Sequence, residues 1–267
     1  MTHLAQAPVK YVLGVVRFPR ISDLTKLASY VQPHLRGEYP VSDEFTAPHV
    51  EVRADAAGVN ISQNELRFWQ FANADRTWAV FVGADMLALH TSAYVGHDDF
   101  IERFVSVLRP AIEAPDVGIQ WLQLAAMRYI NLVTPAASDQ LASYLEPRFL
   151  PPDIEEVSGL EFDGGVMASS FRSHSGTMRV QVQRKPPTVL PPELISPMVL
   201  ANKWEPTRPD RDFAVVDLDH GRLFQPLQTT SGLDIQKLML ELHAMIRAVF
   251  DTVATPHALA VWSGDEK

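Results

Sequence analysis

Antiparallel β-sheets with helices packed on one face, an α+β architecture, are what the amino-acid sequence predicts. Three observations carry this. Residues 66–95 hold three aromatic-rich runs separated by turn residues. Two amphipathic stretches, one after Asp99 and one after Asp234, carry apolar residues at helical spacing. Each helical stretch comes after several strand-like runs, an order typical of helices laid on an antiparallel sheet.

In chain order, residues 12–18 (VLGVVRF) are a β-branched run closed by Pro19 and predict a first strand. Ser22 can cap a helix through its hydroxyl, and Leu24, Leu27, Tyr30, Val31 and Leu35 recur at helical spacing up to Gly37. Residues 49–62 alternate around Gly58 and predict one or two strands. Next, residues 66–72 stop at Asn73-Ala-Asp-Arg76, residues 77–82 stop at Gly83-Ala-Asp85, and residues 86–92 follow, which reads as a meander. Asp99 with Glu102 has the spacing of a capping box, and Phe100, Ile101, Phe104, Leu108 and Ile112 form one helix face that must end before Pro115. Residues 121–133 (WLQLAAMRYINLV) are long, apolar and β-branched at the end, which predicts a buried strand.

Beyond Thr134-Pro135 the chain changes character, with prolines at 135, 147, 151 and 152. Residues 165–171 and 177–184 predict a hairpin turning at Ser173-His-Ser-Gly176. Residues 186–209 are proline-rich with little periodicity, a connection long enough to suggest function. A strand at 213–219 and a last helix at 234–252, capped by Ser231, complete the pattern. Residues 66–133 and 160–255 thus both run strand, strand, strand, helix, which suggests two similar halves, 1–134 and 135–267.

Composition mainly excludes. With 23 Lys plus Arg against 32 Asp plus Glu, the formal net charge is −9, which disfavours the counterion-releasing contacts nucleic acids need. With no cysteine, disulfides, thiolate metal sites and a cysteine nucleophile are excluded. No leader-like start is written at Met1-Thr-His-Leu, and no apolar run approaches the roughly 20 residues that span a bilayer. The expectation is a cytoplasmic protein with no membrane or nucleic-acid partner.

Several constellations could carry chemistry. Asp217 and Asp219 share one face of a strand with His220 following, where oxygen ligands could hold a hard cation. The alternative is a solvated strand face ending in a turn at His220-Gly221. His90, His97, Asp98 and Asp99 could form a base with an orienting carboxylate, although acids at a helix start are expected from the dipole. Arg128, Tyr129 and Asn131 interrupt an apolar strand, so a polar core network or a ligand pocket must take at least one of them. Trp69 and Trp78 flank a turn on neighbouring strands, where they could face each other and anchor a partner. Ser169, Ser170 and His174 lack an orienting acid. There is no Gly-x-Ser-x-Gly elbow, P-loop, Gly-x-Gly-x-x-Gly or His-Glu-x-x-His, and no cofactor is expected.

Arg17-Phe-Pro19, residues 78–107, Arg128-Tyr-Ile-Asn131, Asp217-Leu-Asp219 and residues 243–250 together resemble a sporadically distributed, uncharacterised bacterial family of about this length. The resemblance covers nearly the whole chain and implies no catalytic residues. Its scattered distribution implies spread on mobile elements, where defence and toxin–antitoxin proteins are common. The first expectation is therefore a non-enzymatic protein-binding module, such as an inhibitor, an antitoxin-like neutraliser or a defence-system component, acting through the sheet face or the 186–209 loop. The second is a small-molecule binder or enzyme with a pocket between the halves around Arg128, Tyr129 and Asn131. Exposed sheet edges would also let two copies pair as a homodimer.

Overall fold

The β-branched run near the N-terminus becomes β1 (Val9–Arg17), and it lies fifth in a nine-stranded sheet rather than at its edge. A computed structural model describes residues 4–55, 58–136, 138–152, 154, 157, 159–195, 200 and 212–264, with the backbone alone within 47–66. The other strands are β2 (Val41–Asp55), β3 (Gly58–Ala72), β4 (Trp78–Gly83), β5 (Met86–Thr91), β6 (Trp121–Val133), β7 (Gly165–Ser173), β8 (Gly176–Arg184) and β9 (Ala214–Thr229). Their order is β2-β3-β4-β5-β1-β6-β9-β8-β7, and every neighbouring pair is antiparallel. With the helices α1 (Leu24–Leu35), α2 (His97–Glu113), α3 (Pro192–Ile195), α4 (Ile235–Val253) and α5 (Pro256–Ser263), this is an α+β fold. Among the described residues no helix is long and apolar enough to cross a membrane.

Strand alternation divides the apolar residues between the two sheet faces. One cluster joins Val12 and Val16 of β1, Leu87 and Leu89 of β5, Met127 and Tyr129 of β6 and Val216 and Leu218 of β9 to residues of α1, α2, α4 and α5. The other joins Tyr11, Phe68, Phe81, Ile130 and Val215 to Val189, Leu190 and Leu194, the last from α3. Gly14 of β1 allows α2 to approach. A Cβ there would lie 3.0 Å from the rings of Phe100 and Phe104, with Met239 of α4 at 3.2 Å.

The helix starts differ from those the sequence suggests. Asp23 rather than Ser22 caps α1, its carboxylate accepting from the Lys26 N–H at 2.9 Å. Asp234 rather than Ser231 caps α4, accepting from the Lys237 N–H at 2.8 Å. At α2 there is no capping box: the cap is Gly96, without a side-chain bond, and Asp98 and Asp99 fall in the first turn. Asp99 instead accepts from Arg103 Nε at 2.9 Å, one turn along. At α1 and α4 a carboxylate one and three residues beyond the expected serine satisfies the helix end.

His220 and Gly221 do not form a turn. They pair with Met127 and Ala126 inside β9, which runs on to Thr229. Trp69 and Trp78 do not face each other either, because Trp69 pairs with Val82 and the turn before β4 displaces Trp78 towards Thr91. Of the proline-rich 186–209 segment, residues 196–199 and 201–209 lie outside the described residues, and α3 lies within the remainder.

Candidate functional site

Alternation along β6 fixes which of its polar residues can act together. Tyr129 and Asn131 emerge towards α4, while Arg128 emerges on the opposite face. There the Arg128 guanidinium pairs with Asp217 in a bidentate bond and reaches Glu193 of α3 at 3.0 Å. The expected trio is therefore split, and Arg128 belongs to an ion pair rather than to a pocket.

On the α4 side a cavity of about 350 Å³ opens between the sheet and the helices. Its floor is Val9 of β1, Tyr129 and Asn131 of β6 and Leu218 of β9; its walls are Ile246, Arg247 and Phe250 of α4 and the segment Tyr94 to His97 entering α2. Leu4, Ala5 and Ala7 close a further side. That segment is tied down where the Gln6 N–H donates to the carbonyl of Trp262 at 2.9 Å.

A chain of polar groups crosses the wall. The hydroxyls of Tyr94 and Tyr129 lie 3.3 Å apart, and Tyr129 Oη lies 3.1 Å from His243 Nδ1. The His243 ring stacks on His97, centroids 4.4 Å apart and planes 10° from parallel. His97 Nε2 in turn lies 3.3 Å from Asp98 Oδ1. Asn131 is fixed by donating Nδ2–H to the Val216 carbonyl at 3.1 Å.

Burial, then the charges of His97 and Arg247, push the His243 pKa down to about 4, so its ring is neutral at pH 7. Burial raises both tyrosines, Tyr94 to about 12 and Tyr129 well above its ordinary value, so both keep their hydroxyl protons. At neutral pH Tyr94, Tyr129 and His243 are therefore uncharged, and among the described lining residues Arg247 is the one with a fixed charge. Arg247 is oriented by donating Nε–H to both oxygens of Asp251, one turn on, at 2.8 and 3.0 Å.

The other candidates lie elsewhere. Asp217 and Asp219 share the Arg128 face, but His220 points the other way, its Nδ1 bonded to the Leu242 carbonyl at 3.1 Å and its Nε2 3.4 Å from Ser175 Oγ. Strand alternation thus separates the three, and among the described residues no cluster of three or more His, Asp or Glu is arranged to hold a metal. Trp78 is buried beneath Phe100, with the Arg103 guanidinium 4.9 Å from its ring, and Trp69 packs against the same cluster. His90 is fully buried on the opposite face, its Nδ1 3.0 Å from Tyr11 Oη. Ser169, Ser170 and His174 lie exposed on or beside β7.

His243, Arg247 and Tyr94 escaped the sequence reading because each borders an apolar stripe without interrupting it. A usable signal exists: His243 and Arg247 are four apart, so both fall on the same flank of α4. The chain matches no protein-family model, no curated protein and no solved structure.

Proposed function

We propose that this protein binds a small, largely apolar molecule in the cavity between β6, β9, α2 and α4. The observation that carries the reading is the Tyr94–Tyr129–His243 chain in the wall of a mainly apolar cavity of about 350 Å³. Ligand sites combine a hydrophobic lining with a few convergent polar groups, and this volume lies at the small end of their range. Core packing alone does not call for two tyrosine hydroxyls and an imidazole beside open space, whereas a ligand that needs orienting does.

A thermal-shift screen of metabolites tests it. A ligand at 100 times its dissociation constant adds about 2.7 kcal/mol of stability. Ala7→Phe places a ring in the mouth and is expected to abolish the shift while leaving the unliganded melting temperature close to wild type. A shift that survives in that variant would place the ligand elsewhere.

The strand order also supports reading the chain as two related halves with helices mainly on one sheet face. β1 pairs with β5, the end of the β3-β4-β5 meander, and β6 pairs with β9, the end of β7-β8-β9, with α2 and α4 following, which starts the second unit at β6 rather than at residue 135. The cavity draws on both halves, with Val9 and Tyr94 from one and Leu218 and His243 from the other.

A second reading, a protein-binding module, is favoured by one observation. β8 pairs with β9 only as far as Gly221, and around the extension beyond it Trp121, Leu223 and Leu227 are exposed. An apolar, half-paired strand extension of this kind suits a protein partner or a second copy of the chain. Leu223→Asp should then abolish co-purification of a partner without changing ligand shifts.

A further inference from the structure

We propose that the cavity's ligand is a carboxylic acid with an apolar body, held at its charged end by Arg247. The proposal rests on the cavity reading above and names the ligand class. Among the described residues fifteen line the cavity, and of these none is a carboxylate and Arg247 is the one with a fixed charge. Arg247 and His243 are four apart on α4 and both line the cavity, so the arginine side chain enters the wall beside the imidazole. Asp251 engages Nε and holds the planar group in place. Asp98, outside the lining, has a side chain 88% exposed and turned to His97.

The polar chain suits the same ligand. His97 and the mutually bonded Tyr94–Tyr129–His243 groups set polar atoms in the cavity wall, and α2 begins at this wall with no side-chain cap on its first N–H groups. Val9, Leu218, Ile246 and Phe250 offer only hydrocarbon. A carboxylate on an apolar chain or ring matches both. An amine would meet Arg247 and lose affinity through like-charge repulsion. A neutral alcohol would keep the apolar contacts but forgo the charge-assisted bond.

The test uses three probes with one apolar body, octanoate, octanol and octylamine, titrated into the full chain by calorimetry below their aggregation concentrations. Octanoate is expected to bind at least about tenfold tighter than octanol, and octylamine weakest, because charge-assisted bonds are about twice as strong as neutral ones. Arg247→Gln should remove octanoate's advantage and leave octanol unchanged, and Arg247→Lys should restore part of it. Octanol binding as tightly as octanoate, or an Arg247→Gln variant that keeps the preference, would overturn the carboxylate assignment while the cavity reading stands. No binding of any probe, together with an empty metabolite screen, would overturn both.

Discussion

Arg128 and Asp217 are joined across β6 and β9 by two parallel hydrogen bonds, Nε to Oδ1 at 2.9 Å and Nη2 to Oδ2 at 2.6 Å. The pair is diagonal, because the residue directly opposite Arg128 is Asp219. The Asp217 side chain is only 6% exposed and that of Arg128 20%, so the charges are substantially removed from water. Removing one partner leaves the other buried and uncompensated. Arg128→Met is therefore expected to cost about 3–5 kcal/mol in urea unfolding, whereas the double variant with Asp217→Leu should return close to wild type. A single variant within about 1 kcal/mol of wild type would show that Glu193 and solvent carry the charge instead.

Much of the sheet was legible because period-two alternation and turn residues act locally. Residues 121–133 are strand β6 as read, and the meander from Leu66 stops at its Asn-Ala-Asp-Arg and Gly-Ala-Asp turns. What local pattern cannot supply is the neighbour of a neighbour. β6 joins β9, a pairing separated by scores of residues, and that pairing sets Arg128 beside Asp217, while the docking of α4 brings His243 to Tyr129. Alternation along β6 separates Arg128 from Tyr129 and Asn131; that the cavity lies on the Tyr129 side depends on where α4 docks. Helix caps were misplaced by one to three residues because hydroxyl and carboxylate compete for the same N–H groups, and the choice depends on backbone geometry beyond the local sequence.

Acid should destabilise this fold through its buried histidines. Burial depresses His90 to about 3, and burial with His97 and Arg247 depresses His243 to about 4. Both stay neutral in the folded chain while the unfolded chain takes up protons below about pH 6.5. The unfolded state then binds more protons, so the contribution is complete above that pH and is lost as pH falls towards 4. For His243 the loss across the window is about 3 kcal/mol. His243→Gln is expected to be less stable at pH 7.5 yet to show a shallower fall between pH 6.5 and 4.5, measured by denaturant midpoints. Parallel curves for variant and wild type would argue that His243 titrates normally.

Tyr11 and His90 form an isolated polar pair in the second core cluster, with His90 Nε2 buried and without a hydrogen-bond partner among the described residues. Tyr11→Phe would leave the imidazole with no bond at all, at an expected cost of about 1–3 kcal/mol. Replacing both, Tyr11→Phe with His90→Leu, removes every buried polar atom of the pair and should recover most of that loss or exceed wild type. Thermal melts of the three proteins check it, and a double variant worse than the single would mean that the imidazole makes a contact its geometry does not reveal.

Gly14 sets the distance between the sheet and the helix whose first residues border the cavity. A methyl group there would press on Phe100 and Phe104 at 3.0 Å, and both rings are fully buried with nowhere to turn. Gly14→Ala must therefore move α2 outward, at an expected cost of about 1–3 kcal/mol from overpacking. Since α2 begins with Gly96 and His97, the same movement should loosen the stack of His97 on His243. The expected signature is twofold: a lower unfolding midpoint, and a shift of the His243 ring resonances in NMR spectra at neutral pH. Phe100→Leu, which makes room for the added methyl, should reverse the ring shift in the double variant. Persistence of the shift would mean that α2 position and the histidine stack are not coupled.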